Sequence, residues 1–233
     1  MTRLSLRALT LATAVLLTGC ASTGGGSGPS TPAGTLDKIR ASKTVTLGYR
    51  VSSLPSSYVG PNKQPVGYSV DLCNAVVDDL RRELKLPDLQ PKWVPVTVET
   101  RVSAVMNGTV DIECGSTTNT LSRQEQVDFT LTTFITGASL LAMPGTDASG
   151  DLSGIRIAVI PGTTTEAVIR DVISRGGAAS RAQILAVKDH ADGLAALVNK
   201  TADVYASDRA ILIGLAMASP DPRQFALLDP FLS

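Results

Sequence analysis

The sequence predicts an α/β protein made of two tandem units, each built on a mainly parallel sheet. Two observations carry that expectation. Short β-branched and apolar runs alternate with stretches whose apolar residues recur every three or four positions. Polar segments rich in Gly, Ser and Thr fall repeatedly where a strand gives way to a helix.

In the first unit, TVTLGYR (44–50) reads as a strand running into a loop. Residues 52–70 are turn-rich, with Tyr58 and Tyr68 as anchors. DLCNAVVDDLRREL (71–84) is helical, with Leu72, Ala75, Val76 and Leu80 as its stripe and Asp79 interrupting it. WVPVTV (93–98) is a strand. TRVSAVMNGTV (100–110) sets Val102, Val105 and Met106 on one side of a helix that Asn107-Gly108 stops. DIEC (111–114) is a short strand that delivers the loop GSTTNTLSR, residues 115–123.

The second unit repeats the plan. GASLLAM (137–143) is an extended crossing and 144–150 a loop. IRIAVI (155–160) is a strand leading to PGTTT, and a helix follows from about Thr165 to Ser174, capped by Thr164 or Thr165. QILAV (183–187) is a strand, and 189–199 a helix with Leu194, Leu197 and Val198 on its apolar side. ADVYAS (202–207) is a strand ending at Asp208, which can cap a helix over ILIGLAM. QFALLD (224–229) is a last short strand. No sequence repeat between the units is evident.

The first twenty residues carry Arg3 and Arg7, then a short apolar run from Leu9 to Leu17. That is the pattern of an export signal, too short to span a bilayer. Leu17-Thr18-Gly19-Cys20 resembles the bacterial lipoprotein processing box, which makes Cys20 the first mature residue and its lipid-bearing one. Residues 21–34 hold no large apolar side chain and read as a flexible tether. The expected location is extracytoplasmic, with the body held at the membrane by lipid. The 21 basic and 21 acidic residues balance, so no nucleic-acid partner is expected. Cys73 and Cys114 have neither metal-site nor redox-motif spacing; they are either a disulfide or two buried thiols. No cofactor or metal is expected.

Ligands of open α/β sheets sit beyond the C-terminal ends of the strands. Arg50, Arg101, Ser116, Thr118, Thr164, His190 and Asp208 all follow a strand in this way, and Arg123 closes the loop after DIEC. Helix-start N–H groups and hydroxyls receive a carboxylate, and an arginine grips it bidentately. Arg101 opposes the dipole of the helix it starts, so a ligand explains it better than a surface position does. Arg50 and Arg123 read as ligand contacts, against a structural ion pair and a solvated loop charge. Asp208 suits an ammonium group. His190, the single histidine, is placed to donate to a second carboxylate.

TLDKIR (35–40), VGYSVDLCNAVV (66–77), PDLQ (87–90), NGTVDIECGSTTNT (107–120), PGTTTE (161–166) and AVKDHADG (186–193) resemble the periplasmic solute-binding proteins of polar amino-acid ABC transporters. The glutamate/aspartate-binding branch is the nearer likeness, through ECGSTTN and KDHADG. The resemblance implies a type II, two-lobed periplasmic-binding-protein fold. Lobe one would span 35–136, a hinge crossing 137–143 and lobe two 144–227. The return into lobe one, starting at 228–233, would be largely missing, as in a fragment or a truncated product. Arg101 would clasp the ligand α-carboxylate with Ser116, Thr118 and Thr164, and Asp208 would take the ammonium. Arg50, Arg123 and His190 would surround the side-chain carboxylate. Val98 stands where that branch presents a serine. The implied partners are glutamate or aspartate and an ABC permease, with the protein itself a monomer.

The implied mechanism is capture between lobes without chemistry. Ser116, His190 and Asp208 are triad-type residues, yet no G-x-S-x-G elbow is present, which counts against a hydrolase. A non-transporting sensor would carry the same loops.

Overall fold

The computed structural model describes residues 34–146, 148 and 152–228. The signal segment, Cys20, the tether up to residue 33, part of the 144–150 loop and residues 229–233 lie outside the described residues. The first lobe opens on α1 (Thr35–Ser42) and β1 (Thr44–Tyr49). Three short strands follow, β2 (Ser52–Ser53), β3 (Ser57–Val59) and β4 (Pro65–Val66), which pair antiparallel in that order. Then come α2 (Tyr68–Glu83), β5 (Gln90–Pro95), α3 (Arg101–Met106), β6 (Ile112–Cys114) and the single turn α4 (Leu121–Gln124). The second lobe contains β7 (Ala138–Ala142), β8 (Arg156–Val159), α5 (Thr164–Ser174), β9 (Gln183–Ala186), α6 (His190–Val198), β10 (Val204–Asp208), α7 (Arg209–Ala218) and β11 (Ala226–Leu228).

Each lobe has one main sheet. In the first, β1 lies between β5 and β6 and is parallel to both. Its alternating burial seals Val45 and Leu47 against Ile39, Val77 and Leu89. The second sheet runs β11-β7-β10-β8-β9, with β8, β9 and β10 parallel and β7 antiparallel to both β10 and β11. The segment expected as a crossing thus includes a strand buried at all five positions within the second sheet. The chain expected to start back at 228 is still paired there: Leu228 lies opposite Leu140.

The two lobes share a local pattern that the sequence reading overlooked. Asn107-Gly108-Thr109-Val110-Asp111-Ile112 and Asn199-Lys200-Thr201-Ala202-Asp203-Val204 each end a helix, turn through a left-handed residue and start a strand. Gly108 has φ 71° and Lys200 φ 55°. Each aspartate then locks the start of the neighbouring strand. Asp111 Oδ2 accepts from the Thr46 N–H at 2.8 Å, and Asp203 Oδ2 from the Arg156 N–H at 2.8 Å. The repeat is one of geometry, with only three side chains in common.

Three helices present a face that matches the expected one only in part: Leu80 of α2, Val105 of α3, and Leu194 and Leu197 of α6 do pack inward. In α2 the buried residues are Val70, Cys73 and Val77, whereas Leu72 and Val76 are exposed. The 70-73-77-80 stripe keeps helical spacing and leaves Asp79 outside, which resolves the interruption. In α3 the inward face is Arg101 and Ala104, with Met106 exposed. In α6 it is His190, Gly193, Ala196 and Leu197, with Val198 exposed. The strand read at 93–98 lies three residues earlier, because Thr97 and Thr100 form a turn.

Cys73 and Cys114 form a disulfide. It ties α2 to the last residue of β6, immediately before the loop at 115–118. Among the described residues, no helix is long and apolar enough to cross a membrane.

Candidate functional site

The parallel strands of both lobes point their C-terminal ends at one pocket. From the first lobe it is lined by Arg50, Val98, Arg101, Ser116 and Thr118, and from the second by Thr164, His190 and Asp208. Seven of the eight residues expected from the sequence therefore meet. Thr163, Thr165, Ser207 and Ile211 complete the wall without having been read as ligand contacts. A second cavity of about 420 Å³ adjoins it and shares Ser116, Thr118, Thr164 and Asp208.

Arg50 follows β1 directly. Its backbone N–H donates to Ser57 Oγ at 2.9 Å, which pins it to β3. Arg101 is aimed by the turn before α3, where the Thr97 and Thr100 N–H groups each donate to the other residue's hydroxyl, at 3.0 and 3.2 Å. Both arginines are almost fully enclosed, at 3% and 5% exposure. Neither forms an ion pair among the described residues, and the Nε of each is buried without a partner. Burial pushes Arg101 down to about 10, with Arg50 and Arg123 adding to the effect and Glu113 opposing it. Burial also lowers Arg50, against the pull of Glu113 and Asp189. At neutral pH both remain cations held out of water, an arrangement that costs several kcal/mol unless an anion joins them.

Glu113 is the residue that sequence reasoning missed on this side. Its charge bears on both arginines, and its Oε1 is buried with no hydrogen-bond partner. Burial raises its carboxyl, while Arg101 pulls it back down. Gly115 is glycine for this reason: a Cβ there would lie 2.2 Å from Glu113 Oε1 and 3.0 Å from Arg50 Cγ. The alternation of side chains along a strand gave a signal, since Glu113 sits inside an otherwise apolar strand of three.

On the opposite wall, Thr163 caps α5 rather than Thr164 or Thr165: the Glu166 N–H donates to Thr163 Oγ1 at 3.1 Å. Thr164 is thereby free of capping, and its hydroxyl lies 3.3 Å from that of Thr118. His190 is the first residue of α6, which Asp189 caps by accepting from the Asp192 N–H at 3.0 Å. Asp208 occupies the cap position of α7 but makes no side-chain cap bond, leaving its oxygens for the pocket. Burial raises its carboxyl, and Arg101 opposes that.

Arg123 stands apart. Its Nη1 donates to the Thr118 carbonyl at 2.8 Å and its Nη2 to the Gly162 carbonyl at 3.2 Å. It spans the two lobes beside the pocket, with its guanidinium already engaged at both ends.

The groups do not form a hydrolytic relay. His190 Nδ1 is 2.6 Å from Tyr205 Oη, so Asp208 does not orient it. Among the described residues, no group of three or more His, Cys, Asp or Glu is arranged to hold a metal.

The strand ends of the two sheets thus enclose two arginines without ion pairs and one acid. The model of the bacterial extracellular solute-binding proteins, family 3, matches residues 45–211. The chain belongs to this family. As a family 3 protein it is a binding protein and not an enzyme, and the family is extracellular. The glutamate/aspartate import solute-binding protein of Salmonella typhimurium is 37% identical over 196 residues, covering 83% of this chain and 64% of that protein. The L-glutamate/L-aspartate-binding protein of Pseudomonas aeruginosa is 40% identical over 185 residues, covering 78% and 60%. The chain thus spans just under two thirds of the length of these curated relatives.

Among solved structures, a Brucella ovis ABC transporter periplasmic binding protein with glutathione bound superimposes with a TM-score of 0.75 at 24% identity, covering 86% of this chain and 63% of that one. Holo ArgBP of T. maritima gives 0.71 at 20% identity, covering 84% and 81%. These two establish the two-lobed α/β fold.

Proposed function

We propose that this family 3 protein captures glutamate or aspartate outside the cytoplasm and presents it to an ABC permease. The observation that carries the reading is the pair of buried, unpaired arginines, Arg50 and Arg101, facing Asp208 across one pocket. An acidic amino acid has two carboxylates and one ammonium, and the two cations and one acid that line the pocket are its complement, with Glu113 behind the arginines offsetting part of their charge. Arg101 clasps the α-carboxylate with help from Ser116, Thr118 and Thr164. Asp208 accepts from the ammonium, and Arg50 and His190 hold the side-chain carboxylate. Glutamate/aspartate binding in the curated relatives points the same way. Bound ligand bridges the lobes and favours their closure. Cys20 anchors the protein by lipid, and the body acts as a monomer.

Calorimetric titration with glutamate, aspartate, glutamine and arginine tests the ligand. Glutamine lacks one charge and leaves a buried cation unmatched, so it binds at least tenfold more weakly. Glutamine or arginine binding more tightly than both acids would sink the proposal. Intact mass of the membrane-extracted protein tests the acyl chains on Cys20.

A further inference from the structure

The pocket contains one side chain whose hydrogen-bonding role depends on where a single proton sits. His190 is 4% exposed and lines the pocket. Its Nδ1 lies 2.6 Å from the hydroxyl oxygen of Tyr205, a residue of β10 with no exposed surface. The ring of Tyr205 is fixed from behind by α6: a Cβ on Gly193 would fall 2.3 Å from it.

The imidazole is neutral. Burial and the facing charges of Arg50 and Arg101 disfavour the imidazolium. Burial, with the charges of Asp189 and Asp208 at the helix caps, keeps the Tyr205 phenol protonated against the pull of Arg50. A neutral imidazole has one N–H, and two arrangements of the Tyr205 contact are conceivable. If Nδ1 carried the proton, it would donate to the tyrosine oxygen, and the buried phenol proton would need a different acceptor. If Nε2 carries it, the phenol donates to Nδ1 and no buried proton is stranded.

We propose that Tyr205 is a positioning residue that holds His190 as the Nε2–H tautomer, so that the pocket presents an uncharged N–H donor beside Arg50. The inference rests on the acidic-amino-acid reading only for its consequence. With that tautomer, Nε2–H donates to the ligand side-chain carboxylate; with the other, a lone pair would face it and repel it. Tyr205 touches no ligand, and its effect passes through the histidine.

His190 is the single histidine in the chain, so its ring nitrogens can be observed without assignment work. Protein labelled with ¹⁵N-histidine, purified without a histidine tag, is measured by long-range ¹H–¹⁵N correlation at pH 7, with and without glutamate. The expected spectrum has a protonated Nε2 and an unprotonated Nδ1 in both states. Tyr205→Phe is expected to give a mixture of tautomers and to weaken glutamate about fivefold to tenfold. An Nδ1–H tautomer or an imidazolium in the unaltered protein overturns the proposal, whatever ligand binds. Wild-type tautomer and affinity in Tyr205→Phe overturn the role of the tyrosine. Should that variant not fold, the unaltered protein decides alone. The expected tautomer in a protein that fails to bind glutamate upholds this proposal and defeats only the ligand reading.

Discussion

The hydroxyls of Thr118 and Thr164 lie 3.3 Å apart, one from the loop after β6 and the other from the start of α5. Each lobe thus brings one small donor to the same point, and the contact exists only while the lobes face each other closely. Beside it Arg123 binds a carbonyl in each lobe.

Arg123 is therefore expected to govern closure more than selectivity. Arg123→Met removes one charge-assisted hydrogen bond across the lobes, to the Gly162 carbonyl, and one within the first lobe that steadies it, together roughly 2 kcal/mol after solvent takes part of their place. Affinities for glutamate and aspartate should fall together by about tenfold to thirtyfold. A change in their ratio, read by calorimetry, would show direct contact with the ligand side chain instead.

Arg101→Met should separate binding from stability. Losing a bidentate clamp in a buried pocket costs about 3 kcal/mol or more, a hundredfold or greater loss in affinity. The ligand-free protein should melt only slightly lower than the parent, because the burial of one cation is relieved while Glu113 loses the charge that offsets its own burial. A large drop in melting temperature would mean that Arg101 is structural.

Acid should unfold the protein partly through His190. Burial, with Arg50 and Arg101, lowers the folded-state pKa to about 3 from 6.5. A depressed folded pKa means that the unfolded chain takes up the proton first as pH falls. The contribution is thus fully present above about 6.5 and is lost as pH drops towards 3. Urea melts at pH 7 and pH 4.5 should show a smaller pH penalty for His190→Gln than for the parent. Glutamate affinity should show no step near pH 6.5.

Replacing both cysteines with serine, Cys73→Ser with Cys114→Ser, opens a loop of 41 residues. Chain entropy puts the loss of stability at about 2–4 kcal/mol. Denaturant melts of the double variant measure it, and an unchanged midpoint would show that packing alone holds α2 to β6.

The sequence revealed where the chain changes from strand to loop, and those positions carry the pocket. Short apolar runs that give way to Arg50, Ser116, Thr164, His190 or Asp208 mark the strand ends directly. The inward faces of the helices were harder to read. An apolar stripe selects Val102, Val105 and Met106, yet α3 turns Arg101 and Ala104 inward, because the pocket requires a buried cation there. His190 disturbs the stripe of α6 in the same way. The short α1 was not expected: its only buried residue is Ile39, so it shows no periodicity. Glu113 and Tyr205 matter only through residues distant in the chain, Arg101 for the first and His190 for the second, and one-dimensional patterns carry no such pairing.

The Cys73–Cys114 bridge gives the pocket a history as well as a shape. The residue after the bridged Cys114 is Gly115, whose carbonyl is held by Ser69 of the same bridged helix at 2.7 Å. Disulfides do not persist in a reducing cytosol but form once a chain is exported. The wall that carries Ser116 and Thr118 is therefore finished at its destination. Until the bridge closes, that wall is held by packing and the Ser69 hydrogen bond without its covalent tie.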